Sequence, residues 1–430
     1  VISVLVVDDS VVVRRLITDA LADDPAITVV GTAPNGRVAL QKIDQLKPDL
    51  VTLDVEMPVL DGIGTLRELR KTYQRLPVIM FSTLTAAGAA ATVEALTAGA
   101  SDYVTKPTNV GSVAESIRSV REQLLPRIHA LAGRSRGSGT AAGNAARVPP
   151  SFIGRPGTVP PPTARPLTPP STHPGAPGRP TDRPAATPPS APGAAPRLTP
   201  SPGRLSASGP GADGIGSTAV ARPAAPGTGR VDVIAIGCST GGPDALARVV
   251  KMLPAGLPVP VVVVQHMPPV FTRMFAERLD RASALRVVEA ATDMPLEAGT
   301  VYVAPGDFHL EVVRRGTTVA TALSTGPPEN FCRPAVDVLF RSVNRTYGRS
   351  ALAVVLTGMG HDGRGGCAEL ARSGAEIVAQ DEATSVVWGM PGSVVSAGLA
   401  TAVLPLDEIS AFLLAKVNGG RAVRSMEVTR

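Results

Sequence analysis

Short apolar runs that end abruptly in polar residues, each followed by helical spacing, recur five times in the first 125 residues and resume after residue 231. In the first set, Val4–Val7 runs into Asp8-Asp9, Thr28–Val30 is brief, Leu50–Leu53 runs into Asp54, Val78–Phe81 into Ser82-Thr83, and Tyr103-Val104 into Lys106-Pro107. Helical spacing lies between them, through Val12–Leu21, Val38–Leu46, Ile63–Leu69, Ala87–Ala98 and from Val113. Alternating βα units of this length predict a doubly wound parallel sheet. In such a sheet a site forms at the carboxyl ends of the strands. Asp8, Asp9, Asp54, Ser82 and Lys106 all fall at such ends.

The chemistry of that group is specific. Carboxylates on adjacent strand ends repel unless a hard cation sits between them, and Mg²⁺ suits oxygen ligands. A carboxylate held there can attack phosphorus and become an acyl phosphate. Lys106 can neutralise phosphoryl oxygens, and the Ser82 hydroxyl can bond to one of them. Any one of these residues is ordinary at a strand end, but the five together are not.

Composition changes at residue 126. Twenty-two of the forty-two prolines lie between Pro149 and Pro226, among Ala, Gly, Thr, Ser and Arg, with little that is apolar. Residues 126–230 therefore read as a disordered Pro/Ala/Arg-rich linker between two domains. The chain's formal charge of +6 resides in this segment. Residues 133–230 hold eleven Arg, no Lys and two Asp, a net +9, which leaves −3 for the remainder. Basicity spread thinly along a segment with one aromatic, Phe152, is no nucleic-acid surface. Three scattered cysteines, Cys238, Cys332 and Cys367, suit a reducing cytoplasm. The expectation is a cytoplasmic monomer with no bilayer-spanning stretch and no direct membrane insertion.

From residue 231 to 420 the βα rhythm predicts a second α/β domain with a mainly parallel sheet. Val233–Ile236 stops at Gly237-Cys-Ser-Thr-Gly-Gly242, and helical spacing follows through Leu246, Val249, Val250 and Leu253. Ser239 should therefore sit where a buried strand turns into a helix, with Pro243 in the helix's first turn. Backbone N–H groups there favour developing negative charge. The turn alone suits a nucleophilic hydroxyl or a phosphate cradle equally. Two more strand ends add His266, after Val259–Val264, and Asp362, after Ala351–Leu356. A serine needs a base near it, and the base needs a carboxylate to fix its tautomer. Gly237-Cys-Ser-Thr-Gly241 also fits the nucleophile-elbow pattern, whose chain order would allow Ser239, Asp337 and His361 instead. Asp337 falls mid-pattern on a helix, which counts against that set. Cys238 is a third candidate nucleophile, but its place before the turn suggests a packed side chain.

Two resemblances follow from these residues. Val7-Asp8-Asp9-Ser10, Leu53-Asp-Val-Glu-Met-Pro58 with Asp61-Gly62, and Val104-Thr-Lys106-Pro107 resemble the response-regulator receiver domain over residues 1–125. The resemblance implies a flavodoxin-like fold with Asp54 as phospho-acceptor. It also implies Mg²⁺ held by Asp9, Asp54 and the Glu56 carbonyl with Asp8 assisting, and Ser82 and Lys106 as switch residues. Ile236–Gly242, Gln265-His-Met-Pro268, Val303–Asp307, Arg333–Asp337, Leu356–Gly363 and Ala379–Ala383 resemble the chemotaxis methylesterase family.

That second resemblance implies a Rossmann-like fold and hydrolysis of glutamate γ-methyl esters, with deamidation of glutamine, on chemoreceptors. Ser239 would be nucleophile, His266 base and Asp362 its orienter, with backbone N–H groups near Thr240 and Met359 as oxyanion donors and no cofactor for the ester chemistry. The implied partners are methyl-accepting chemoreceptors and a chemotaxis histidine kinase, with recruitment to receptor clusters at the membrane. The unphosphorylated receiver would cover the active-site mouth. A tether of ~100 residues would lower the receiver's local concentration and make that inhibition leaky. The long linker, and Cys238 where a small residue is expected, depart from the family pattern. The alternatives are a receiver-bearing, non-catalytic receptor adaptor and a DNA-binding regulator. The latter lacks any helix-turn-helix signal.

Overall fold

The computed structural model describes residues 1–83, 85–107, 112–135 and 229–427, with side chains of 133–135 and 420–427 left aside. The Pro-rich segment expected to be a disordered linker lies outside the described residues. In the first domain the strands are β1 (Ile2–Val7), β2 (Ile27–Ala33), β3 (Leu50–Asp54), β4 (Val78–Ser82) and β5 (Asp102–Thr105). Helices α1 (Val11–Leu21), α2 (Gly36–Leu46), α3 (Gly62–Thr72) and α4 (Ala86–Thr97) connect them, and α5 (Val113–Ser135) follows. The sheet is parallel in the order β2-β1-β3-β4-β5. The order reverses between β1 and β3, where a ligand crevice opens. Asp8 and Asp9 follow β1 and Asp54 ends β3, so the carboxylates meet at that crevice. Ser10 and Asp61 cap α1 and α3, accepting from Val13 N and Gly64 N.

One boundary differs from expectation. Helix α5 continues past Leu125 and through Pro126 to Ser135. Val120, Leu124, Ile128 and Leu131 keep one helical face and are all buried. An internal proline costs a helix about 3 kcal/mol, whereas burying Ile128 and Leu131 returns roughly 1.5–3 kcal/mol each. Packing wins, and the composition change at residue 126 does not mark the helix end.

The second domain begins with β6 (Val233–Cys238), α6 (Gly242–Lys251), β7 (Val261–Gln265), α7 (Phe271–Ala282), β8 (Arg286–Glu289) and β9 (Thr300–Val303). The antiparallel hairpin β10 (His309–Arg315) and β11 (Thr318–Ser324) stands apart from the main sheet. Then come α8 (Val336–Tyr347), β12 (Ala351–Val355), α9 (Arg364–Arg372), β13 (Glu376–Gln380), α10 (Met390–Ser396), β14 (Ala402–Leu404) and α11 (Leu406–Glu427). The seven-stranded sheet has the order β14-β13-β12-β6-β7-β9-β8, parallel throughout. Strand β6 is central, with β7, β9 and then β8 on one side and β12, β13 and β14 in succession on the other. The reversal lies between β6 and β12, at the end of β6 where Ser239 stands. Strands β6, β7 and β12 are buried along their whole length, which explains their unbroken apolar sequences.

The two domains pack together, with α4 lying against α6 and α7 and the Tyr103 ring stacked on Phe271 at 5.1 Å between centroids. Among the described residues no helix is long and apolar enough to cross a membrane.

Candidate active site and phosphorylation site

In the first domain Asp8 and Asp54 are buried while Asp9 is exposed. The three offer oxygens within 4.8 Å of one another. Lys106 Nζ sits 3.1 Å from Asp8 Oδ2 and 2.8 Å from Asp54 Oδ2. Those two oxygens are buried and have no partner besides Lys106 among the described residues. Burial, reinforced by the Asp8 charge and opposed by Lys106, pushes the Asp54 carboxyl up to about 6. Against the cost of burial, Asp54 and Asp8 raise Lys106 above its ordinary value. One lysine, paired with Asp8 and Asp54, thus offsets only part of the charge of three crowded carboxylates, and carboxylate oxygens gathered in this way fit a hard divalent cation. Glu56 lies two residues beyond Asp54 with its side chain exposed. Ser82 Oγ points away from the carboxylates, donating to the carbonyls of Gly88 at 3.1 Å and Thr83 at 3.3 Å.

In the second domain, Gly241 at φ +76° turns the chain from β6 into α6. A Cβ there would also meet Val386 Cβ at 2.4 Å, so glycine is required twice over. Ser239 and Thr240 occupy this turn, with Pro243 in the first turn of α6. Ser239 N donates to Thr357 O at 3.0 Å, tying the turn to the segment after β12. His266 directly follows β7, and its N–H donates to Cys238 O at 3.2 Å. Asp362 lies in the loop between β12 and α9.

Ser239, Thr240, His266 and Met359 line one cleft of about 320 Å³. Its opposite wall comes from the first domain, with Asp102, Tyr103 and Arg127 among the lining residues. His266 Nε2 lies 2.8 Å from Asp362 Oδ2. Asp362 is buried and also accepts from Val336 N at 2.7 Å, Asp337 N at 3.0 Å and Gly363 N at 2.9 Å. Burial resists its charge, but His266 and these N–H groups outweigh it and hold Asp362 below the usual carboxylate range. Burial likewise disfavours the His266 imidazolium, yet hydrogen bonds to Asp362 and Cys332 push the ring up to about 10. With Nε2–H donating to the carboxylate, Nδ1 carries the free lone pair. Nδ1 is therefore the atom able to take a proton from Ser239. In this state it faces Cys332 Sγ at 3.6 Å. No hydrogen bond joins Ser239 Oγ to His266 among the described residues.

The competing assignments are not assembled. Asp337 accepts from Asn330 Nδ2 at 2.9 Å and Gly366 N at 2.6 Å rather than from His361, which is exposed. Cys238 is fully buried, and that burial drives its thiol pKa far above the ordinary value. Two residues that sequence reasoning missed adjoin the His266–Asp362 pair. Asn330 Nδ2 bridges Asp337 and Asp362 Oδ1 at 2.9 Å each, and Cys332 caps Nδ1. Both precede α8 in an irregular loop, where no strand end or spacing marks them. A third, Asp102 of the first domain, accepts from Thr240 Oγ1 at 2.5 Å.

Comparisons with known proteins agree in both halves. Residues 4–118 match the response regulator receiver domain, and residues 234–413 match the CheB methylesterase. A protein-glutamate methylesterase/protein-glutamine glutaminase from Nocardioides sp. is 47% identical over 416 residues, covering 97% of this chain and 95% of that protein. One from Trichodesmium erythraeum is 41% identical over 414 residues, covering 96% and 98%. The crystal structure of the Thermotoga maritima CheB methylesterase catalytic domain matches at 43% identity and a TM-score of 0.42, covering 43% of this chain and 97% of that one. A parallel α/β receiver in front of a parallel α/β domain, with near full-length identity above 40% to these relatives, places the chain in the protein-glutamate methylesterase/protein-glutamine glutaminase (CheB) family.

Proposed function

We propose that this chain is a phosphorylation-activated serine hydrolase that removes γ-methyl esters from glutamates, and deamidates glutamines, on methyl-accepting chemoreceptors. The observation that carries the reading is the His266–Asp362 pair at the foot of the cleft that holds Ser239. Ser239 Oγ attacks the ester carbonyl as His266 Nδ1 takes its proton. Asp362 holds the ring and stabilises the imidazolium. Backbone N–H groups of Thr240 and Met359 receive the oxyanion at the head of α6. Collapse expels methanol, or ammonia from an amide, which leaves with the proton carried by His266. Water, deprotonated by the same nitrogen, then frees the glutamate from Ser239. This chemistry calls on no cofactor.

In the receiver, Asp54 accepts the phosphoryl group from a chemotaxis histidine kinase. Asp8, Asp9, Asp54 and the Glu56 carbonyl would hold Mg²⁺, which neutralises phosphoryl charge during transfer. Lys106 binds the modified Asp54, and Ser82 turns from Gly88 toward it. The unmodified receiver covers the cleft: Gly241 N donates to Ser101 O at 3.1 Å, and Thr240 donates to Asp102. Phosphorylation therefore opens the mouth to receptor helices. The protein works as a cytoplasmic monomer drawn to receptor clusters.

The test is methanol release from methylated receptor membranes. Ser239→Ala should abolish ester and amide hydrolysis together, and His266→Ala should cost on the order of 10³-fold in turnover, while His361→Ala costs little. A dead His361→Ala with an active His266→Ala would hand the site to the elbow-type set. A Ser239→Ala protein that still releases methanol would favour a non-catalytic adaptor.

A further inference from the structure

The turn that carries Asn330 and Cys332 also carries an aromatic ring that the chain itself does not use. Glu329 and Cys332 exchange both backbone hydrogen bonds, at 3.0 and 2.9 Å, around Asn330 and Phe331. Both central residues have positive φ, +51° and +64°. A two-residue turn of this kind prefers Asn-Gly. Asn at the first position fits. Phe at the second is out of place, because a bulky side chain is strained in the left-handed region.

Three residues of the turn are anchored inward. Glu329 is paired with Arg341 on α8, Asn330 bridges Asp337 and Asp362, and Cys332 faces His266. Phe331 alone points outward, with a relative exposure of 104%. The ring is strained and buries nothing, yet it stands on the rim of the cleft that holds Ser239, His266 and Met359. Strain held by a rigid frame at the edge of a reactive site points to a binding role. An exposed aromatic with restricted rotamers loses little entropy on contact and offers a large apolar area.

We infer that Phe331 is a substrate-docking residue. On this view its ring receives an apolar receptor side chain near the methyl-ester glutamate, seating the ester carbonyl over Ser239. The inference rests on the receptor reading above. It adds what that reading lacks, a residue of this chain that recognises the protein around the ester.

The experiment uses the full-length chain, activated with acetyl phosphate and Mg²⁺, on methylated receptor membranes and on p-nitrophenyl acetate. Phe331→Ala and Phe331→Gly should raise KM for receptor methanol release by roughly tenfold or more. The loss in kcat/KM should be at least about tenfold larger on receptors than on the small ester. Phe331→Trp should restore receptor KM. Phe331→Gly, relieved of its strain, should melt no lower than the parent protein, which separates docking from folding. The inference is overturned if receptor KM moves less than about twofold in both truncations, or if receptor and small-ester hydrolysis fall in parallel. If the parent protein cleaves the small ester but releases no methanol from receptors, the receptor reading itself has failed, a result distinct from either.

Discussion

His266 is held by two partners of different kinds, and its protonation depends on both. Asp362 fixes one ring nitrogen, and Cys332 lies on the nitrogen that the proposed mechanism uses as base. Only the neutral ring can take the Ser239 proton, so activity should rise with pH through the His266 pKa. Because that pKa is raised, the rise should lie above the ordinary histidine value of about 6.5. Cys332→Ala removes one of the raising partners and should shift the kcat/KM profile on a small ester toward acid. A profile that does not move would mean Asp362 alone sets the base.

Asn330 acts one step further out. Asn330→Ala takes away one of the donors that hold Asp362 Oδ1 and should lower kcat about tenfold, in the manner of supporting residues behind other oriented histidines. Asn330→Asp sets a third carboxylate against Asp337 and Asp362 and should cost more than the alanine. Equal kcat for all three proteins would reduce Asn330 to a turn residue. Ser239 and His266 could be singled out in the sequence because each directly follows a buried apolar run, and Asp362 because it lies in the loop after a third. Asn330 and Cys332 could not, because the loop that brings them to the base is positioned by packing against α8.

Helix α4 lies between Ser82, a proposed switch residue, and the other domain. Ser82 Oγ, at the end of β4, donates to Gly88 O within α4, and α4 packs on α6 and α7. On the proposed mechanism the Ser82 hydroxyl leaves Gly88 for phosphorylated Asp54, which would carry the change at β3 to the interface. Ser82→Ala should still take up phosphate from acetyl phosphate but lose most of the resulting gain in methanol release. Asp54→Asn should lose both. Full activation of Ser82→Ala would show that the signal runs by another route.

At this scale the parallel strands were legible, since a strand buried on both faces reads as an unbroken apolar run. Strand β8, four residues at the sheet edge with only Val287 buried, was not. Nor was α11 read from the sequence, although its buried Ile409, Leu413 and Val417 fall at i, i+4 and i+8 on one helical face.

The largest part that local sequence does not display is the contact between the domains. Asp102 reads as a residue at the start of a short strand. In the folded chain it is buried, accepts from Thr240 Oγ1 and pairs with Arg127 at 3.2 Å. Thr240 is next to Ser239, so the receiver holds the turn that carries the nucleophile as well as covering it. Tyr103 on Phe271 supplies apolar area beside this polar contact. Removing the acceptor leaves the Thr240 hydroxyl without this partner whenever the domains are closed, while Arg127 keeps its bond to Gln123 O. A buried donor without a partner costs about 1–3 kcal/mol, which shifts the balance between closed and open forms by roughly 5- to 150-fold. Asp102→Ala should therefore raise methanol release in the absence of phosphodonor toward the activated level, and adding acetyl phosphate should then change it little. The comparison is basal against activated turnover in the parent and variant proteins on the same receptor membranes, with Asp54→Asn added to the variant to exclude residual phosphorylation. An Asp102→Ala protein as silent as its parent would leave the apolar contacts of α4 and Tyr103 as the closure's main support, and Tyr103 would be the next residue to truncate.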